Sequence, residues 1–201
     1  HGIDFHTGAI HRSNLPQIRA SFDDEETKRF AEAFNAPIMV DSRMRDGSLR
    51  EAARKKKVNI LLFEGGQALR FEKDVIEKGV SGTLRAMAAI GMIESDGEDK
   101  KLATTEAHDS FWLRAPHSGT VRMNIKLGSY VKKGEVVAVI LDLLGEVEIE
   151  VVSPETGIVI GLNNLPLVTL GEAILHLATV QKLNKRELKK RGFVYPQADI
   201  D

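Results

Sequence analysis

Apolar and polar positions along the first 93 residues switch between two periods, that of a strand and that of a helix. GIDFH at 2–6 turns every second side chain to the same face, as a strand does. DDEETKRFAEAFNA reads as a helix, with Asp23 and Asp24 suited to its N-terminal dipole and Phe30 and Phe34 four residues apart on one face. PIMVD is a short strand after a proline. GSLREAARKKK predicts a second helix, capped by Ser48 and ending in a basic turn. VNILLF is a continuous apolar run, the pattern of a strand buried on both faces. EKDVIEKGVSGTLRAMAAIGMI predicts a long helix whose apolar stripe is Ile76, Val80, Leu84, Met87 and Ile90. Strands alternating with helices in this way predict an α/β sheet with helices packed on it.

The pattern changes after residue 93. ESDGEDKKLATTEAHDS is polar and charged and reads as a linker over 94–110. From Phe111 short Val-rich segments alternate with Pro- and Gly-bearing turns. APHSGTV and VSPETGIV are two related pieces, each a turn leading into a strand. Together they resemble a small biotinyl/lipoyl-like β-barrel built from two similar halves. A carrier domain of that kind presents a lysine at the hairpin tip, but VILDLLGEVEIEVV has none, so a structural or lid-like module is expected. The expected organisation is an α/β domain over 1–93, a linker over 94–110, a β-barrel over 111–180 and a tail over 181–201. The tail opens on the basic KLNKRELKKR, read as a solvated helix or an extended segment.

Composition narrows the partners. With 28 Lys and Arg against 29 Asp and Glu the net charge is −1, which gives no reason to invoke nucleic acid or an anionic membrane. The absence of cysteine removes disulfides, thiolate metal sites and a cysteine nucleophile, and fits a cytoplasmic setting. No apolar run approaches the ~18 residues that span a bilayer.

Two stretches carry candidate chemistry. In HGIDFH, strand alternation places Asp4 and His6 on one face, while His1 faces away from His6. One His with one Asp is a pair; a catalytic zinc needs three protein ligands and an open position. In NILLFEGGQALRF, Glu64 follows a buried run and precedes Gly65 and Gly66, which is expected to set its carboxylate at the strand's carboxyl edge. An ordinary turn carboxylate in water would look the same. His11 and His108 fall in a predicted loop and linker, and His117 and His176 are expected to be hydrogen-bonded structural histidines of the barrel.

In order and spacing these stretches resemble the succinylglutamate desuccinylase/aspartoacylase family of zinc-dependent hydrolases. DFHTGAIHRSNLPQIRA is similar to that family's Asp-x-His segment, and LLFEGGQALRF to its segment with the catalytic glutamate. GTLRAMAAIGMI and the late NNLPLVTLGEAILHLA fit as well. The resemblance implies a zinc-carboxypeptidase-like α/β fold and hydrolysis of the amide bond of N-acyl amino acids. It implies Zn2+ as cofactor, His6 as a zinc ligand and Glu64 as the general base. Because such substrates carry carboxylates, Arg50 and Arg54 are candidate substrate clamps, with Arg12 and Arg19 as further options. Asp4, by strand alternation, would orient the His6 ring.

The resemblance is incomplete. The family's His-Gly-x-Glu motif, which supplies two more zinc ligands, lies upstream of the Asp-x-His segment. His1-Gly2-Ile3-Asp4 imitates its letters but belongs to the later segment. The chain is therefore expected to correspond to the C-terminal portion of such an enzyme, an α/β domain incomplete at its N-terminus, with poor zinc affinity and no activity alone. The alternative is a non-catalytic binding or assembly module. The expected partner is a small-molecule substrate, with no nucleic acid and no membrane. Self-association is left open.

Overall fold

The computed structural model describes residues 1–95 and 104–194. Parts of the expected linker and tail, 96–103 and 195–201, lie outside the described residues. The first half runs β1 (Gly2–His6), β2 (Arg12–Ala20), α1 (Glu25–Phe34), β3 (Ile38–Asp41), α2 (Leu49–Lys55), β4 (Ile60–Gln67) and α3 (Lys73–Ala89). The second runs β5 (Thr105–Ala107), β6 (Asp109–Arg114), β7 (Gly119–Met123), β8 (Tyr130–Val131), β9 (Val136–Leu141), β10 (Glu148–Val152), β11 (Gly157–Asn163), β12 (Leu167–Val168), β13 (Ala173–Thr179) and α4 (Lys185–Lys190).

Among the described residues these strands form two sheets. A mixed nine-stranded sheet has the path β1-β4-β2-β11-β13-β6, with β3 and β5 branching from β2 and β8 pairing with β11. The second sheet, β10-β9-β7-β12, has four strands. The two halves read from the sequence therefore share one sheet, because β11 pairs antiparallel with β2 through Gly161↔Asn14. From Asp109 on, β6, β8, β11 and β13 lie in the large sheet and β7, β9, β10 and β12 in the small one, around a core that includes Ile140, Val159, Ile174 and Leu175. The two related pieces of this segment solve the same steric problem. A Cβ on Gly119 would lie 2.0 Å from the Leu141 carbonyl oxygen, and one on Gly157 2.4 Å from that of Ala178, so only glycine can open β7 and β11.

The helix starts follow the sequence. Asp24 accepts from the Thr27 amide at 2.7 Å and Ser48 from the Glu51 amide, each satisfying an otherwise unpaired N-terminal donor. Phe30 and Phe34 are buried. β3 and the start of β4 fall where PIMVD and VNILLF place them.

Four features differ from the sequence reading. β2 carries no regular pattern because Pro16 interrupts it; the β2–β4 register shifts between Asn14 and Gln17, and such irregularities are where a sheet tolerates proline. α3 buries Gly79, Gly82 and Ala86 rather than the expected apolar stripe, and Ile76, Val80 and Leu84 stay about half exposed. The reason is that aromatic rings need the space. A Cβ on Gly82 would sit 2.4 Å from Phe34 Cε1, and one on Gly79 3.4 Å from Phe5 Cε1. The expected linker holds β5 and the start of β6 in its described part. The tail forms α4 behind an Asn184/Glu187 capping box and buries Leu188 and Phe193 against Ile38, Ile158 and Ile160.

Candidate active site

β1 and β4 run parallel, with His6 in register with Glu64 and Asp4 with Leu62. Asp4, His6 and Glu64 line one cleft of about 630 Å³, together with Arg12, Asn14, Arg19, Arg45, Arg50 and Trp112. The expected pairing of Asp4 with His6 is present, Asp4 Oδ2 to His6 Nε2 at 3.1 Å. A carboxylate accepts, so Nε2 is the donor in this pair.

Glu64 does not sit at the end of its strand. β4 continues through Gly65 and Gly66 to Gln67, with Gly66 at φ 71° and its carbonyl accepting from the Gly8 amide at 3.1 Å. The Glu64 carboxylate is largely enclosed and is held from β2. Asn14 Nδ2 donates to its Oε2, and Arg19 Nε lies 3.5 Å from its Oε1. That Arg19 nitrogen is buried and makes an ion-pair contact, not a hydrogen bond, among the described residues.

The cleft has a surplus of positive charge. Arg12, Arg19, Arg45 and Arg50 line it against the two carboxylates of Asp4 and Glu64. Burial lowers the pKa of Arg19, opposed by Glu64. Burial also lowers that of Arg50, reinforced by the Arg19 and Arg45 cations. Arg50 is held by the Ser42 carbonyl at 3.1 Å and the Ser42 hydroxyl at 3.3 Å. Such a cluster favours an anionic ligand, above all a carboxylate that can meet a guanidinium with two parallel hydrogen bonds. Of the expected clamps, Arg50 lines this cleft; Arg54 is exposed and lines a neighbouring hollow with Asp23, Asp24 and Lys57. Arg12 and Arg19 line the cleft too.

Asn14, Arg45, Trp112 and His176 are the residues missed in sequence. His176 is indeed buried and hydrogen-bonded, but its partner is the cleft residue Arg19, at 3.3 Å. No local signal distinguishes it, because the contact depends on pairing between β2 and strands near the far end of the chain. The other histidines stay apart. His11 occupies the turn before β2 at φ 63°, His108 lies edge-on to Phe22 and His117 is exposed beside the Ser118 carbonyl.

The described residues do not form a complete zinc site. No three His, Cys, Asp or Glu side chains converge among them, and His6 with Asp4 supplies at most two donors where a catalytic zinc uses three. No helix among them is long and apolar enough to cross a membrane.

Residues 1–90 match the succinylglutamate desuccinylase/aspartoacylase catalytic domain, a family of hydrolases of acyl amino acids. A 59-residue stretch is 48% identical to the uncharacterized protein YqeB of Escherichia coli K12, covering 29% of this chain and 10% of that protein. The chain superposes on the product-bound ectoine utilization protein EutE (DoeB) of Ruegeria pomeroyi with a TM-score of 0.76 at 21% identity, covering 88% of this chain and 57% of that one. It superposes on a succinylglutamate desuccinylase/aspartoacylase of Rhodobacter sphaeroides with a TM-score of 0.78 at 21% identity, covering 89% and 58%. At that identity the likeness shows the fold, and the chain spans under three fifths of the length of these structures. Over residues 1–90 the chain is therefore similar to the succinylglutamate desuccinylase/aspartoacylase catalytic domain.

Proposed function

We propose that the cleft binds an N-acyl amino acid and hydrolyses its amide bond, with Glu64 as general base. The observation that carries this reading is a glutamate enclosed in an arginine-lined cleft and held by Asn14 and Arg19, opposite the His6–Asp4 pair. In this reading Glu64 takes a proton from the water that attacks the amide carbonyl carbon and returns it to the leaving amine. A positioned carboxylate contributes about 10² to 10⁴ in rate. Arg50, fixed by Ser42, binds a substrate carboxylate, with Arg12, Arg19 and Arg45 adding to the field; Arg54, outside the cleft, does not contribute.

Zinc is the cofactor this reading expects, with His6 as one ligand and Asp4 orienting its ring. The described residues do not complete that site, so two further donors have to come from elsewhere, and the chain alone is expected to be inactive. The partner is a small-molecule substrate, the setting cytoplasmic. We also read the segment expected as a β-barrel over 111–180 as a biotinyl/lipoyl-like fold, which the division of β6 to β13 into four strands of each sheet supports. It serves here as a wall of the cleft.

The test is release of free amine from N-succinyl and N-acetyl amino acids, assayed on this chain and on any longer polypeptide containing it, with added zinc. Arg50→Met is expected to raise KM about tenfold or more with a smaller change in kcat, the mark of lost ground-state binding. Failure of every preparation to release amine would remove the hydrolase reading.

A further inference from the structure

Both side chains that hold the candidate base lean on the second half of the chain. One lateral row crosses the large sheet. Trp112 on β6 is in register with His176 on β13, His176 with Gly161 on β11, Gly161 with Asn14 on β2, and Asn14 with Gly66 on β4. Asn14, next to the β4 end of this row, donates to Glu64. Gly161 leaves it the room. A Cβ there would stand 3.1 Å from Asn14 Oδ1 and 3.0 Å from His176 Cβ, closer than side chains normally pack.

Arg19 is the second holder. Its guanidinium lies 3.5 Å from Glu64 Oε1 through Nε and 3.3 Å from His176 Nδ1 through Nη2. An arginine can only donate, so Nδ1 is the unprotonated nitrogen of His176. Burial, followed by the Arg19, Arg12 and Arg45 cations, pushes the His176 pKa down to about 3, which keeps the ring neutral and Nδ1 an acceptor at physiological pH. The ring is also fixed from the side. Trp112 stacks on it at 4.5 Å and 15°, and the Arg12 guanidinium lies over the Trp112 ring at 4.6 Å.

We propose that His176 and Gly161 are positioning residues for Glu64, His176 by orienting Arg19 and Gly161 by leaving space for Asn14. The second half of the chain thus sets the geometry of the candidate base. The consequence for turnover rests on the reading of Glu64 as that base, whereas the coupling itself can be measured without turnover.

A histidine that only filled the core would be replaceable by leucine; one that orients Arg19 needs an acceptor, which glutamine retains. The test is the side-chain carboxyl 13C signal of Glu64 in 13C-glutamate-labelled chain at fixed pH, assigned by its loss in Glu64→Gln. His176→Leu is expected to move that signal by more than its linewidth, and His176→Gln to leave it in place. Gly161→Ala, a single added methyl, is expected to move it through Asn14 and provides an independent reading should His176→Leu not fold. An unmoved signal in a folded His176→Leu or Gly161→Ala variant overturns the proposal. In an active preparation His176→Leu is expected to lower kcat about tenfold, with His176→Gln near wild type. Full turnover in Glu64→Gln would remove the base and leave the coupling standing, so the two failures are distinguishable.

Discussion

Asn14 donates its side-chain amide to the Glu64 carboxylate across the β2–β4 pairing, joining two residues 50 positions apart at the bulge made by Pro16. Asn14 is buried and Glu64 largely so. Asn14→Ala removes a charge-assisted donor and leaves the carboxylate short of a partner. That is expected to cost about 1–3 kcal/mol, read as a lower urea midpoint with an unchanged m-value.

Gly82 separates two opposing effects. Alanine within a helix gains about 1 kcal/mol over glycine. Here its Cβ would meet the fully buried Phe34 ring at 2.4 Å. Overpacking of that kind costs about 1–3 kcal/mol, so the packing term should win and Gly82→Ala should be destabilising. Chemical denaturation decides the sign.

His176 predicts a pH dependence of stability. Its folded pKa is depressed to about 3 from an ordinary 6.5, so between those values the unfolded chain binds the extra proton. Stability contributed by the neutral ring is complete above about pH 6.5 and is lost as pH falls towards 3. The expected slope in that window is about 1.4 kcal/mol per pH unit, present in wild type and absent in His176→Gln. Urea titrations of both proteins at several pH values measure the difference.

The donor set predicts the behaviour of the metal. With no more than His6 and Asp4 converging in the cleft among the described residues, zinc added to this chain should bind weakly there, and His6→Ala should abolish that binding. Calorimetric titration showing tight, stoichiometric zinc that survives His6→Ala would show that the ligands lie elsewhere.

What was legible in the sequence was local. The caps Asp24 and Ser48, the apolar run before Glu64 and the alternation that pairs Asp4 with His6 each depend on neighbours a few residues away. The illegible parts depend on distant pairing or on volume. β2 was hidden by Pro16, which only the bulge accommodates. The buried face of α3 was misread because an apolar stripe marks a core face only when the core has room, and Phe5, Phe34 and Phe63 fill the space here. Glu64 was expected at a strand's end because two glycines suggested a turn, whereas they continue β4. Trp112 reaches the cleft, and His176 reaches its residue Arg19, only because β11 joins β2, a pairing across some 150 residues that no local pattern encodes.

The role of Glu64 as the base is tested most directly by turnover of Glu64→Gln in an active preparation. Glu64→Gln keeps the shape and the contact with Asn14 while removing the proton acceptor. If Glu64 is the base, kcat for N-acyl amino acid hydrolysis falls about 10² to 10⁴ in a protein that remains folded. Wild-type kcat in that variant would contradict that role.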